Sequence, residues 1–287
     1  MRNDHDVIIL GAGVGACLLG AGLSHSANVL MLERLGVRRA RSYASIPRVA
    51  VESVVGDCAT HGDDGSVWDL ERLAAVLAQR LVSEGGKALS FESFRATRRH
   101  RVTEICADGH QYRARLVIDC MEYRSPLLVA NRFGRLVDTC VIQEGPIPVR
   151  LVHTLALNDI PLSAHPGHLE ILPLVKSSHL TLVVRGSRLR RASNARLDWQ
   201  IAANALSAEA GPIGCSVRST IVPIVRIDRA TRDGFIALQD PEQQVDASAC
   251  LRSAFNTYRA IAASILDCLA KDDLGNRALA RRVQKDV

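Results

Sequence analysis

Aromatic residues are scarce in this chain: two Trp, four Tyr and five Phe among 287 residues, or 4%. No apolar run approaches the roughly 20 residues that a membrane-spanning helix needs, so no span is expected. The eight cysteines (Cys17, Cys58, Cys106, Cys120, Cys140, Cys215, Cys250 and Cys268) include no Cys-x-x-Cys pair. Several sit inside apolar runs, so they read as small buried hydrophobes of a reducing cytoplasm, not as disulfides or zinc ligands, and no metal site is expected. Internal repeats and low-complexity stretches are lacking too. The chain passes from a charged start straight into an apolar strand, so no secretory leader is expected. Net charge is +6, with basic clusters at Arg38-Arg39-Ala40-Arg41, at 98–101 and at 185–196. No aromatic side chains interleave with them, which argues against nucleic acid and for solvated faces, with some attraction for an anionic ligand.

What is present begins with a core, since 47% of residues are hydrophobic. The chain is long enough for one large domain or two modest ones. Its first forty residues form one recognisable unit. Asp6-Val7-Ile8-Ile9-Leu10 is a short apolar strand that ends on Gly11-Ala12-Gly13-Val14-Gly15-Ala16. An apolar helical stretch follows, then a second strand, Asn28 to Leu32, that ends on Glu33. Strand, glycine-rich turn, helix, strand and acid make a βαβ unit of the dinucleotide-binding kind. Gly11 permits the tight turn, and Gly13 lets a pyrophosphate approach the backbone. Ala16 is small enough for helix–strand packing. The helix N-terminus directs N–H groups and partial positive charge at phosphate. Glu33, twenty residues beyond Gly13, suits a ribose hydroxyl and disfavours a 2′-phosphate.

Further along, 48–55 reads as a strand. Ser66 and Asp69 suggest a capping box for a helix opened by Trp68, with Leu70, Leu73, Leu77 and Leu81 on one face and Gly85-Gly86 as its stop. Strands are expected at 88–91, 97–107 and 111–115, the last two around an Asp108-Gly109 hairpin turn. Residues 116–120 form a buried strand ending at an acid. Strands at 148–157, 169–175 and 180–185 read as a separate sheet. A helix at 195–208, strands at 217–225 and 235–238, a long helix at 247–270 and a frayed charged tail complete the reading.

The order of these segments resembles the two-domain FAD-dependent oxidoreductases of the aromatic-hydroxylase, geranylgeranyl reductase and lycopene cyclase type. Three blocks carry the resemblance: Gly11 to Ala16 with Glu33-Arg34; Trp68 to Leu73 with Asp119 through Ser125; and Gly234 to Pro241. Glu122 stands where such proteins have a glycine in Asp-x-x-Gly-x-x-Ser. Gln239 and Pro241-Glu242 depart from their Gly-Asp-Ala-Ala. The segment between Glu33 and Trp68 is short. The resemblance implies an α/β fold, with a Rossmann-like FAD-binding domain (1–45, 66–140 and 215–287) and a second β-sheet substrate domain (46–65 and 141–214). It implies FAD held by Gly11, Ala12, Gly13, Val14, Gly15, Ala16, Glu33, Arg34, Arg41, Asp119 and Asp240.

By the same resemblance the chain acts on a small organic molecule, by monooxygenation or C=C reduction. Electrons would come from NAD(P)H or a separate reductase. Catalytic candidates are Glu52, Glu122 and His153, with His168 and Glu170 further polar residues of the second sheet. Few aromatics favour an aliphatic or polyene substrate. A Trp-x-Trp-x-Ile-Pro stretch is missing, which sets a halogenase aside. Two rivals stay open: a non-catalytic relative acting as a binding or partner protein, motivated by Glu122 and Gln239, and an NAD-dependent dehydrogenase using the same turn.

Overall fold

The computed structural model describes residues 5–36, 39–55, 66–99, 102–121, 124–125, 127–128, 134–147, 153–161, 166–174, 177–186, 217–227 and 231–283. The expected helix at 195–208 lies outside them. The fold is the mixed α/β architecture that the sequence implies, with a largely parallel sheet beside a second, antiparallel one.

β1 (His5–Leu10), α1 (Val14–Ser24) and β2 (Val29–Arg34) form the βαβ unit. β1 and β2 pair in parallel, from Val7 opposite Val29 to Leu10 opposite Leu32. Val7 through Leu10 are fully buried, as an uninterrupted apolar run requires when both sheet faces are covered. β3 (Tyr43–Ser45) and β4 (Val67–Asp69) pair antiparallel around α2 (Arg48–Val55). The strand expected at 48–55 is therefore a helix. Its valines suggested a strand, but Val51 and Val54, three residues apart, lie on one helical face and are buried in the core while Val49 is exposed.

Trp68 belongs to β4 and does not open a helix. Its indole Nε1 donates to the Ile46 carbonyl at 2.8 Å. α3 (Leu70–Ser83) is capped by Asp69, which accepts from the Arg72 N–H at 2.9 Å, so the capping box based on Ser66 is one turn too early. Leu70, Leu73, Leu77 and Leu81 are all buried, each contributing about 1.5–3 kcal/mol of apolar burial.

β5 (Lys87–Phe91) pairs with β2. The run expected at 97–107 divides into β6 (Phe94–Arg99) and β7 (Val102–Ala107), which pair with each other. Asp108 and Gly109 both have positive φ, the two-residue turn that Asp-Gly favours. It leads into β8 (His110–Asp119), which leaves the hairpin and enters the parallel sheet beside β1.

The second sheet has the order β10-β11-β12-β9-β13 and is antiparallel throughout. Its strands are β9 (Gly134–Ile147), β10 (Leu155–Pro161), β11 (Pro166–Pro173), β12 (Ser178–Gly186) and β13 (Arg218–Ile227). Of the strand expected at 148–157, residues 148–152 lie outside the described residues and 155–157 open β10. β9 and β13 contribute to this sheet although 134–140 and 218–227 read as parts of the first domain. β9 escaped notice because Gln143-Glu144-Gly145-Pro146 is polar and turn-like; tertiary partners, described below, make it a buried strand.

β14 (Thr231–Arg232) and β15 (Phe235–Ala237) complete the first sheet, ordered β14-β15-β8-β1-β2-β5. A 3₁₀ turn, Pro241–Gln243, leads to α4 (Ala247–Ala270), whose bounds match the expected long helix. The part of the tail that is described, up to Val283, is folded: α5 (Asn276–Val283) buries Leu279 and Val283. β1, β2, β8 and β15 run in parallel and end at one edge, with β2 and β8 on opposite sides of β1. That reversal of strand order opens a crevice at the carboxyl ends of the strands, where α/β folds place ligands.

Candidate functional site

Four segments meet at that crevice. Gly11 to Gly13 leaves β1, Glu33 and Arg34 end β2, Cys120 and Met121 follow β8, and Asp240, Glu242 and Gln243 follow β15; with Arg39, Ala40 and Arg124 they line a cavity of about 50 Å³. Gly11 has φ +104°, a conformation that side chains resist. A Cβ on Gly13 would lie 3.1 Å from both carboxylate oxygens of Asp240, so the turn has no room for a side chain there.

The N-terminus of α1 faces a protein carboxylate. Val14 N–H donates to Glu242 Oε1 at 2.5 Å. Arg39 Nη1 donates to Oε1 and Oε2 of Glu242 at 2.7 and 2.9 Å, and its Nη2 donates to the Ala12 carbonyl at 2.9 Å. Glu242 is 2% exposed. Burial and the neighbouring Asp240 push its carboxyl up to about 7, against the opposing pull of Arg39 and the Val14 N–H. Asp240 caps the 3₁₀ turn, accepting from the Glu242 N–H at 3.1 Å and from Gln243 Nε2 at 2.8 Å. Its carboxyl is raised too, by burial above all.

A wider cleft of about 820 Å³ opens from the same place. Ala12, Glu33 and Arg39 border it, with Ser42, Tyr43, Asp69, Glu71 and Arg218 as its polar wall and Ala74, Ala75, Ala78 and Leu89 as its apolar one. Glu33 is half-buried, and burial raises its carboxyl, with Arg39 opposing and Glu71 reinforcing the shift.

Several predicted residues come together here: Gly11, Ala12, Gly13, Glu33, Arg34 and Asp240 line the small cavity, and Val14 supplies its N–H. Gly15 instead packs against Pro241, where a Cβ would meet the ring at 2.9 Å. Ala16 is buried in the core. Asp119 is fully buried and turned to its own chain. Ser125 Oγ and the Met121 N–H donate to it, and the Ser125 hydroxyl accepts in turn from the N–H groups of Leu127 and Leu128. The acid and the serine of the Asp-x-x-x-x-x-Ser spacing thus organise a loop. Burial raises Asp119 to about 6.

Arg41 lies between the two sheets and lines the wide cleft, not the cavity at the turn. Its side chain is fully buried, donating to the Gln244 and Val245 carbonyls at 2.7 and 2.5 Å and facing Glu170 at 3.8 Å. Burial lowers its basicity and raises that of Glu170. Glu144, on β9, accepts from the Ser42 N–H and hydroxyl at 2.9 and 2.6 Å and pairs with Arg218 at 3.1 Å. Burial alone would raise its carboxyl, but His179, with Nε2 at 3.6 Å, and the hydrogen bonds from Ser42 hold it below the ordinary value.

Of the catalytic candidates, Glu52 is paired with Arg48 on the outer face of α2, and His153 is exposed; neither lines the crevice. Glu122 lies outside the described residues. His168 and Glu170 are buried beneath Arg41 and line neither of the two cavities. The sequence reading missed Arg39 and the site role of Glu242. Arg39 was legible only as part of a basic cluster close behind Glu33, and Glu242 only as a departure from Gly-Asp-Ala-Ala.

No protein-family model and no curated protein sequence matches the chain. Solved structures share its fold. Halogenase PltM, in complex with phloroglucinol and FAD, superposes with a TM-score of 0.73 at 14% identity over 96% of this chain and 72% of its own. A geranylgeranyl bacteriochlorophyll reductase-like protein from Thermoplasma acidophilum gives 0.66 at 13% identity, over 98% and 82%. Aklavinone-11 hydroxylase, in complex with FAD and aklavinone, gives 0.65 at 13%, over 94% and 63%. The architecture is the fold that these structures share, two of which are complexes with FAD. Because halogenases share it, the missing Trp-x-Trp-x-Ile-Pro stretch does not by itself set halogenation aside.

The residues present fit the phosphate of a dinucleotide in one specific sense. The Glu242 carboxylate takes the position of an anion at the α1 N-terminus, held by a backbone N–H and an arginine, and so stands in for a phosphate oxygen.

Proposed function

We propose that this chain binds FAD across the α1 turn and serves as an FAD-dependent oxidoreductase for a small organic molecule. The observation that carries the reading is the anion place at the α1 N-terminus, flanked by Gly11 and Gly13 on one side and Glu33 on the other. Bound FAD would supply redox or oxygen-transfer chemistry, while the protein positions it and excludes water. Gly13 allows the close approach, the Val14 N–H and Arg39 offer positive charge, and Glu33 accepts from a ribose hydroxyl. Arg41 ties the segment after the 3₁₀ turn to the second sheet, sealing the interior between the domains. The reaction is monooxygenation or C=C reduction, with halogenation a further chemistry of the fold, and electrons come from NAD(P)H or a separate reductase. The place of work is the cytoplasm; among the described residues no cysteine is in a disulfide, and no helix is long and apolar enough to cross a membrane.

The test is uptake of FAD by the purified protein, seen as flavin absorbance and a rise in melting temperature. Gly13→Asp is expected to lose both, since it adds a carboxylate beside those of Asp240 and Glu242. Gly13 is the N-cap of α1, where aspartate is favoured, but its Cβ would press on Asp240, so circular dichroism and a cooperative melt without FAD are needed to show that the variant is folded. A Gly13→Asp protein that retained flavin like the wild type would remove the turn from the site. One observation favours a second reading, a non-catalytic relative: the anion place is already filled. Failure of the wild-type protein to take up FAD at acidic, neutral and alkaline pH would shift the weight to it.

A further inference from the structure

The geometry points to Glu242 as a built-in competitor for the cofactor phosphate: its carboxylate, clamped by Arg39 on the α1 N-terminus, must withdraw before a dinucleotide can seat. This rests on the dinucleotide reading of the site and adds to it a residue that sets affinity. Three observations carry it. The Val14 N–H, the donor that the turn presents to an anion, is spent on Glu242 Oε1. Arg39, the cation of the site, is spent on the same carboxylate through two hydrogen bonds. Asp240 stands beside both, so a phosphate arriving with Glu242 in place would meet two carboxylates against one arginine clamp.

The turn that carries Glu242 has somewhere to go. Behind it, between α1 and α4, lies a second cavity of about 220 Å³, lined by Gly15, Asp240, Pro241, Gln244, Cys250 and Tyr258 among others. The 3₁₀ turn thus separates two spaces, and its movement toward α4 would clear the first. Pro241 packs directly on Gly15, where a Cβ would meet its ring at 2.9 Å, so the movement must slide this contact along α1.

The competition depends on charge. Facing Glu242 are Arg39 from the segment after β2, Asp240 from its own turn, Glu33 at the end of β2, Cys17 on α1 and Arg124 after β8. Glu242 titrates around 7, because burial and Asp240 oppose its charge. Protonation removes its grip on Arg39 and its repulsion of phosphate, so wild-type affinity for a dinucleotide should rise as pH falls through that value.

The experiment is a fluorescence titration of FAD into the full chain, wild type, Glu242→Gln and Glu242→Ala, at pH above and below the Glu242 midpoint. Thermal-shift titrations with ADP and inorganic pyrophosphate run alongside. On the alkaline side the two variants are expected to bind FAD tighter by about tenfold or more. On the acid side the wild type should close most of the gap, while the variants stay level. Equal affinity for all three proteins at both pH values overturns the inference and leaves the dinucleotide site standing. No binding of FAD, ADP or pyrophosphate by any of the three rejects the dinucleotide reading and this inference with it.

Discussion

Arg39 and Arg41 are two residues apart, and each meets a glutamate from a distant part of the chain, yet the pairs are built differently. Arg39 holds Glu242 through contacts of 2.7 and 2.9 Å, and its side chain, 19% exposed, lines the cavity at the turn, which Arg41 does not reach. Arg41 meets Glu170 only at 3.8 Å, with its side chain fully buried and its Nε and Nη1 without a hydrogen-bond partner. The better-made pair is the exchangeable one. Where a cavity adjoins, a carboxylate can trade places with another anion, and the arginine serves either. Where the pair is sealed, it stays regardless of geometry, because parting two charges inside the protein costs more than the poor contact loses.

The largest test of that contrast is Arg41→Ala. It leaves the buried Glu170 uncompensated and frees two backbone carbonyls, and should cost about 3–5 kcal/mol in chemical denaturation. Replacing Arg41 and Glu170 together with methionine should recover more than half of the loss. Arg39→Ala should cost less, about 1–3 kcal/mol, because Glu242 can take up a proton in place of the lost partner. A larger loss at Arg39 than at Arg41 would reverse the comparison.

Next in size is a pH effect on stability. The folded-state pKa of Glu242, about 7, lies above the ordinary 4.5. The folded protein therefore binds the proton more tightly than the unfolded chain, and stability from this group falls as pH rises through that window. Asp119, raised from 3.8 to about 6, acts in the same direction at lower pH. In melting-temperature profiles, Glu242→Gln should lessen the decline across the whole window from 4.5 to about 7, most cleanly above pH 6, and leave the share that Asp119 contributes below pH 6. An unchanged profile would mean that Glu242 is not buried as a charged group. The smallest effect is expected at Glu52, an exposed partner of Arg48 on α2. Glu52→Ala should change stability by no more than about 0.5 kcal/mol and leave FAD uptake unchanged, confirming that an isolated surface pair belongs to neither class.

Much of the fold was legible in the chain. The βαβ unit, the Asp108-Gly109 turn and α4 follow from local periodicity and turn chemistry, and each stands where it was expected. The errors have local causes too. A valine-rich stretch at 48–55 mimicked a strand. A tryptophan followed by leucines hid the last residues of β4 at the head of α3. β9 was missed because Gln143-Glu144-Gly145-Pro146 at its end is polar and carries turn residues, whereas Glu144 is buried against Ser42 and Arg218. No window of sequence holds both partners.

The site divides in the same way. Gly11, Gly13 and Glu33 could be placed from sequence because the turn and the strand end that carry them belong to one continuous segment. Asp119 could be picked out from sequence, but its hydrogen bonds from Ser125 and the Met121 N–H, which hold the loop after β8, could not. By itself, then, the sequence determined the cradle: strand, glycine turn, helix and acid, fixed by backbone sterics and apolar periodicity over forty residues. Only the tertiary structure decided what fills it. Glu242 reaches the N–H of Val14 from 228 positions away, and only the parallel pairing of β15 with β8 beside β1 brings that carboxylate to the helix end.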